Sequence, residues 1–82
     1  MNYDKCPSAY MKEGLQLYIE HGILPGSFLQ AILANDFAKA ATRADSPNRE
    51  LLYQWAIFML NEVPEQCWGS WEVVNNWKGT NK

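Results

Sequence analysis

Apolar side chains recur every three to four residues in four segments of the chain, a spacing typical of amphipathic helices. In the first segment, "YMKEGLQLYIEH", the apolar side chains that share one helical face are Met11, Leu15, Tyr18 and Ile19. Ser8 stands where it can cap the start of this helix. Gly22 suits a left-handed C-terminal cap, and Pro25 prevents the helix from continuing.

The second segment carries an apolar stripe long enough for a helix of about four turns, with Ser27 placed to cap its start. The members of the stripe are Phe28, Leu29, Ile32, Leu33, Phe37, Ala40 and Ala41. Asn35 and Asp36 fall inside it, however, and both residue types favour caps and turns over helix interiors. We therefore expect a break at which Asn35 ends one helix and Asp36 caps the next.

The third segment is strongly apolar, and we expect it at the centre of the core. Its stripe, read as a single helix, consists of Leu51, Leu52, Trp55, Ala56, Met59, Leu60 and Val63. Asp45 or Ser46 is placed to cap this helix, with Pro47 at its first position, where a missing N–H does no harm. Pro64 ends the helix, since the residue before a proline avoids helical geometry.

The last segment, "WEVVNNWK", predicts a short helix that Ser70 caps and Gly79 ends. Trp71, Val74 and Trp77 share one of its faces. No strand pattern, repeat or apolar run of membrane-spanning length occurs. The spacing predicts an all-α fold, a small bundle of four helices with the second broken into two. We expect one domain over residues 1–82, with flexible ends at 1–7 and 79–82.

The composition shows an excess of aromatic residues and no cluster of basic ones. Four Trp, four Tyr and three Phe are many for 82 residues, because a chain this short buries only a thin core. We therefore expect an exposed aromatic patch or an interface between copies. The net charge is −2 and the seven Lys and Arg are scattered, so duplex nucleic acid is not an expected partner. A small anion remains compatible, because one or two arginines can bind it.

The chain offers little of the chemistry that enzymes need. Cys6 and Cys67 are the only cysteines, which favours free thiols in a reducing compartment. Together with His21, the one histidine, they supply at most three zinc ligands. No glycine-rich phosphate loop is present, and no serine has an evident base partner. We expect a binding protein without catalytic residues, metal or cofactor, and a cytoplasmic location because "MNYDKCPSAY" lacks a signal-peptide run.

Polar side chains gather around the predicted helix ends between residues 35 and 48. They are Asn35, Asp36, Arg43, Asp45 and Asn48. Arg43 follows Asp36 by two helical turns, so the two can share one side of a helix. In one interpretation these residues only start and end helices, with both aspartates as caps and Arg43 at a helix C-terminus. In the other, Arg43 and free N–H groups at helix starts bind an anionic or polar ligand.

Trp68, which precedes Gly69 and the cap Ser70, is open to two interpretations as well. It can act as a hydrophobic staple over the last helix, or its indole can stack on a base or a partner side chain. Trp71 and Trp77 are expected to dock that helix on the core. The candidate ligand-binding residues are therefore Ser27, Asn35, Asp36, Arg43, Asp45, Asn48, Trp68 and Ser70.

The stretches "YIEHGILPGSFLQAILANDFAKAATRADSPN" and "NEVPEQCWGSWEVVNNW" resemble a widespread group of small, uncharacterised phage and prophage proteins. The shared pattern covers about residues 14–78. Its positions here are Tyr18, His21, Gly22, Pro25, Gly26, Ser27, Phe28, Leu29, Asn35, Asp36, Ala44, Asp45, Asn48, Trp68, Gly69, Ser70 and Trp77. The resembling proteins usually carry a proline or a charged residue where this chain has Trp71. The resemblance implies a phage origin, residence in the bacterial cytosol and a non-essential accessory role.

Two hypotheses of function follow. The first is a phage counter-defence protein that binds and sequesters a small nucleotide-type signal, as a homo-oligomer in which subunits share each pocket. The second is an inhibitor or adaptor that binds a host defence protein through an exposed Trp-rich patch, with Trp68 and Trp71 as its centre. Neither hypothesis involves a membrane.

Overall fold

The computed structural model describes residues 1–81, which form six α-helices joined by short turns. The helices are α1 (Lys12–His21), α2 (Ser27–Leu33), α3 (Phe37–Arg43), α4 (Ser46–Glu50), α5 (Leu52–Glu62) and α6 (Trp71–Asn76). Three 3-10 turns lie at Tyr3–Lys5, Ala9–Met11 and Glu65–Cys67. No strand occurs in residues 1–81, so the predicted all-α class is confirmed. Lys82, the end of the tail predicted to be flexible, lies outside the described residues.

The predicted break in the second segment is confirmed. Asn35 adopts a positive φ of 60° between α2 and α3, a left-handed conformation that asparagine tolerates better than most residues. The Asp36 side chain then caps α3 by accepting a hydrogen bond from the backbone N–H of Lys39 at 3.2 Å. The break lets α3 fold back and pack extensively on α2.

The third segment is not the single helix predicted, because a turn at Leu51 divides it into α4 and α5. The N–H of Leu51 binds the carbonyl of Asn48, three residues back, at 3.1 Å, and this tighter spacing ends α4. The predicted stripe is also wrong at Leu60, which is 69% exposed. Leu60 lies about 140° around α5 from the fully buried Trp55, while Phe58, absent from the predicted stripe, is buried.

Among the other predicted helix ends, two starting caps need correction. Ser8 precedes a 3-10 turn and caps nothing with its side chain, because its hydroxyl donates to Asn48 Oδ1 instead. Ser27 is the first residue of α2 rather than its cap, a position that Gly26 occupies. The final helix also stops earlier than predicted, at Asn76.

The remaining caps are confirmed. Gly22 ends α1 with a left-handed φ of 71°, and Pro64 follows the end of α5. Of the two candidates Asp45 and Ser46, Asp45 caps α4 by accepting from the backbone N–H of Asn48 at 3.0 Å. Pro47 is therefore the second residue of α4 rather than the first, the position predicted for it. Ser70 caps α6 by accepting from the backbone N–H of Val73 at 3.1 Å. These caps satisfy N–H groups that a helix start otherwise leaves without partners.

Trp55 lies at the centre of the core. Its ring meets Phe28 and Phe58 edge to face, with centroid separations of 6.0 and 5.9 Å, a favourable arrangement of aromatic quadrupoles. The other fully buried hydrophobic side chains are Leu15, Tyr18, Ala31, Ile32, Leu33, Ala40, Met59, Cys67 and Val74. The core therefore draws on α1, α2, α3, α5 and α6 together.

The end of the chain returns to α1. The Trp77 indole N–H donates to the carbonyls of Tyr18 and Ile19 at 3.0 and 3.1 Å. The backbone N–H groups of Thr80 and Asn81 donate to Ile19 and Glu20 at 2.9 and 2.8 Å. These bonds use carbonyls in the last turn of α1, where helix carbonyls commonly lack a partner within the helix. The Tyr18 carbonyl also accepts the N–H of the cap Gly22 at 2.9 Å. No helix in residues 1–81 has the length and apolar character needed to cross a bilayer.

Candidate functional site

The eight candidate ligand-binding residues fall into separate places rather than one site. Asn35, Asp36, Trp68 and Ser70 lie where the turn between α2 and α3 meets the start of α6. Asp45 and Asn48 lie at the start of α4, and Arg43 ends α3. Ser27 lies in the wall of a cleft of about 320 Å³ between the start of α1 and the start of α2.

The first place is a junction between α3 and α6 that Asp36 holds together. Its Oδ2 accepts a hydrogen bond from the indole N–H of Trp71 at 3.0 Å, while its Oδ1 caps α3. Nearby, the N–H of Gly69 donates to the carbonyl of Leu33 at 2.8 Å. The indole N–H of Trp71, and then the Lys39 amide, holds the pKa of Asp36 below its usual value. Asp36 is therefore ionised and bound on both oxygens at neutral pH.

Beside this junction lie two cations of α3, and the first of them contacts an aromatic ring of α6. Lys39 and Arg43 are exposed and one helical turn apart, so they are neighbours on the helix surface. The Lys39 ammonium lies 5.5 Å from the ring centroid of Trp71, a cation–π distance. Within residues 1–81, the side chain of Arg43 has neither a hydrogen-bond nor an ion-pair partner. We call Lys39, Arg43 and Trp71 the α3 patch.

Arg43 lies in the last turn of α3, as predicted, but the arginine whose side chain bonds the carbonyls at that helix end is Arg49. Its guanidinium donates to the carbonyl of Ala44 at 3.1 Å and to that of Ala41 at 3.4 Å. These carbonyls end α3, where a cation is stabilised by the helix dipole. Sequence reasoning missed Arg49 because it belongs to the following helix. Arg49 bonds these carbonyls, and Arg43 is exposed to solvent.

The second place is a buried hydrogen-bond network around Asn48, whose side chain is fully buried. Its Oδ1 accepts from the Trp55 indole at 3.2 Å and from the Ser8 hydroxyl. Its Nδ2 donates to the Tyr10 hydroxyl at 2.6 Å, and that hydroxyl in turn donates to Asp45. The polar atoms of Asn48 are thus bonded to protein, and the geometry favours a structural role for this residue.

Because of Asp36 and Asp45, the protein is expected to lose stability as the pH falls into the acid range. The Tyr10 hydroxyl, and then the Asn48 amide, holds the pKa of Asp45 below its usual value, as Trp71 and Lys39 do for Asp36. A depressed folded-state pKa contributes stability above the unfolded value near 4, and this stability is lost as pH falls through the folded value. We expect the urea midpoint to fall as the pH is lowered below about 4, and to fall less in an Asp36→Asn/Asp45→Asn double variant. An equally steep fall in that variant would contradict these assignments.

The four tryptophans do not form an exposed patch, since Trp55 is buried and the other three are half-buried. The indole N–H groups of Trp55, Trp71 and Trp77 donate to protein acceptors. Trp68 packs against the core, as a hydrophobic staple would. The exposed large hydrophobic residues are Met1, Tyr10, Leu17, Ile23, Leu24, Tyr53, Ile57 and Leu60.

No protein-family model, curated protein or solved structure matches this chain. Residues 1–81 contain no cluster of three or more histidine, cysteine or acidic side chains that could hold a metal ion. The α3 patch contains two cations and one indole, and it lies beside the Asp36 carboxylate, which is already bound within the protein. Groups of these types can bind an anion and stack on a ring.

Proposed function

We propose that this chain is a phage-encoded accessory protein that binds and sequesters a small nucleotide-type signal of host defence in the bacterial cytoplasm. The observation that carries the proposal is the α3 patch, in which Lys39 lies over the Trp71 indole and the exposed Arg43 follows one helical turn along α3. The phage origin and the counter-defence role rest on the sequence resemblance. A homo-oligomer fits the same proposal, because two subunits could then share a ligand.

The patch offers the two kinds of contact that a nucleotide needs. An arginine fork binds phosphate oxygens in pairs, and a lysine adds a mobile charge. A base can stack on the Trp71 indole, which requires the Lys39 ammonium to move from the ring face towards the phosphate. The flexible four-carbon stem of lysine allows this movement.

The local charge favours an anion despite the net charge of −2 on the whole chain. Two cations face one carboxylate, and Asp36 already accepts hydrogen bonds from Trp71 and Lys39. The α3 patch, Lys39, Arg43 and Trp71, contains no histidine or carboxylate that could act as a general base. The patch is therefore suited to holding a nucleotide rather than to cleaving it.

We expect isothermal titration with cyclic dinucleotides, cyclic trinucleotides and ADP-ribose derivatives to reveal at least one ligand. Arg43→Ala should weaken its binding by roughly 10- to 150-fold, the effect of losing a charge-assisted hydrogen bond, with an unchanged melting temperature. Asp36→Ala should instead lower the melting temperature, because it removes a cap and the Trp71 contact.

Lys12→Ala is the matched control, since it removes a cation that pairs with Asp4 away from the α3 patch. It should leave the affinity unchanged. No heat and no thermal shift across the whole nucleotide panel would refute the proposed function. A sharply lower melting temperature for Arg43→Ala with unchanged affinity would show that the ligand binds elsewhere.

The alternative function is an adaptor that binds a host defence protein. It requires an exposed Trp-rich patch, and residues 1–81 do not have one. Each of the four tryptophans is at least half-buried. A protein partner that binds through a Trp-rich patch needs several exposed rings, whereas a base needs one face of one ring, here that of Trp71 once Lys39 has moved. The nucleotide hypothesis is the one that the arrangement of charges and rings favours.

A further inference from the structure

The ring of Trp71 is the surface of the α3 patch on which a base can stack, and a cation of the protein lies over it. The Lys39 ammonium is 5.5 Å from the ring centroid, within the range of a cation–π contact. The indole is half-buried and packs against the core, and its N–H donates to Asp36. The ring is therefore held in place, and a base that stacks on it must displace the lysine.

The ammonium of Lys39 has a reason to stay on this ring. It takes part in neither of the two ion pairs within residues 1–81. The other cation of the patch, Arg43, follows four residues later, so the two side chains are neighbours on the helix surface, and like charges at this spacing repel each other. Lys39 therefore favours the indole over a position beside Arg43 until an anion lies between the two cations.

A phosphate group reverses this preference. Its oxygens accept charge-assisted hydrogen bonds from both cations, and a phosphate monoester carries a charge of about −1.5 to −2 at neutral pH. The repulsion between Lys39 and Arg43 is then replaced by attraction of both to the same group. Because the stem of lysine is flexible, the ammonium can swing from the ring to the phosphate, and the base of the same molecule can then stack on Trp71.

We propose that Lys39 makes base stacking on Trp71 conditional on a phosphate, so that the α3 patch selects phosphorylated over unphosphorylated nucleosides. A nucleoside has to displace the ammonium from the ring without offering it a new partner, whereas a nucleotide supplies that partner. The inference rests on the proposed function and adds to it the residue that sets the class of ligand.

Isothermal titration with adenosine monophosphate (AMP) and with adenosine, which differ by one phosphate, tests the proposal. The wild type should bind AMP more tightly than adenosine. Lys39→Ala should weaken AMP binding by roughly 10-fold or more, because a charge-assisted hydrogen bond is lost. The same variant should strengthen adenosine binding by about 2- to 5-fold, because the base no longer has to break a cation–π contact. A lysine that only attracts anions would not produce the second effect.

Arg43→Ala is the matched comparison, because it removes the other cation of the patch and leaves Lys39 over the ring. It should weaken AMP binding without strengthening adenosine binding. Both positions are exposed and alanine is a good helix former. The Asp36 cap bonds the backbone N–H of Lys39 rather than its side chain, so α3 should fold in both variants, which the melting temperature checks.

Three results would overturn the inference while leaving the proposed function in place. The first is adenosine that binds Lys39→Ala no more tightly than the wild type, including adenosine that binds neither protein. The second is a wild type that binds adenosine as tightly as AMP. The third is a member of the nucleotide panel that binds while AMP does not, because one base and one phosphate would then not suffice. Absence of binding by every nucleotide, AMP included, would instead refute the proposed function and the inference with it.

Discussion

Replacing Asn48 with alanine is expected to lower the free energy of unfolding by about 2–4 kcal/mol. The side chain is fully buried, and its Oδ1 is the acceptor for both the Trp55 indole and the Ser8 hydroxyl. Removing it leaves two buried donors without partners, each at a cost of about 1–3 kcal/mol. In a domain of this size, each kcal/mol lowers the melting temperature by roughly 4–8 °C.

Asn75→Ala is the matched control for that experiment. Asn75 is exposed on α6, so its replacement should change the free energy of unfolding by less than about 0.5 kcal/mol. Urea denaturation of both variants, with circular dichroism as the readout, measures the difference. Similar midpoints for Asn48→Ala and Asn75→Ala would mean that the network around Asn48 contributes little to stability.

The Asn48 network marks the limit of what the sequence predicts about the fold. Caps such as Asp36, Asp45 and Ser70 were predicted correctly because each bonds an N–H only three residues away. Ser8 was wrongly predicted as a cap because its partner, Asn48, lies 40 residues along the chain. When a side chain has one possible hydrogen-bond partner nearby in sequence and another far away, tertiary packing decides which of the two it bonds.

The same distinction explains the errors in the third segment. Its apolar residues fit one helical stripe, and neither Pro nor Gly interrupts it. The turn at Leu51 accompanies the burial of Asn48, since the Leu51 N–H binds the Asn48 carbonyl. Leu60 then faces outward, which local periodicity does not reveal. Helical character was predictable, whereas the position of the break depended on one buried polar residue.

The candidate site was predictable only in part. Arg43 and Asp36 were identified from their spacing, but Lys39 and the ring of Trp71 were not, because their proximity requires α6 to dock on α3.

A second large effect on stability is expected where the end of the chain packs against the C-terminus of α1, because a glycine lies at the contact on each side. Gly22 has a φ of 71°, and a Cβ on it would lie 2.7 Å from the carbonyl carbon of Lys78. Gly79 has a φ of 94°, and its Cβ would lie 2.5 Å from the carbonyl oxygen of Glu20. Both contacts are with backbone, which cannot rotate away as a side chain does.

Gly79→Ala is therefore expected to lower the free energy of unfolding by about 3 kcal/mol. Roughly 1 kcal/mol comes from an unfavourable φ for alanine, and the rest from displacing the chain end from α1. That displacement weakens the bonds from Thr80 and Asn81 and the indole bond of Trp77 to α1. Hydrogen exchange at the amides of Thr80 and Asn81 should accelerate along with the fall in stability.

Gly26→Ala separates this effect from the general consequence of replacing a glycine. Gly26 has a φ of −64°, and no heavy atom lies within 4 Å of a Cβ built on it. Alanine fits there, so the change in the free energy of unfolding should stay within about 0.5 kcal/mol. Equal stability of Gly79→Ala and Gly26→Ala, with unchanged exchange at Thr80 and Asn81, would show that the chain end is not anchored to α1. If Gly79→Ala alone is destabilised, the close approach of Gly79 to the backbone of Glu20 and His21 anchors the chain end to α1.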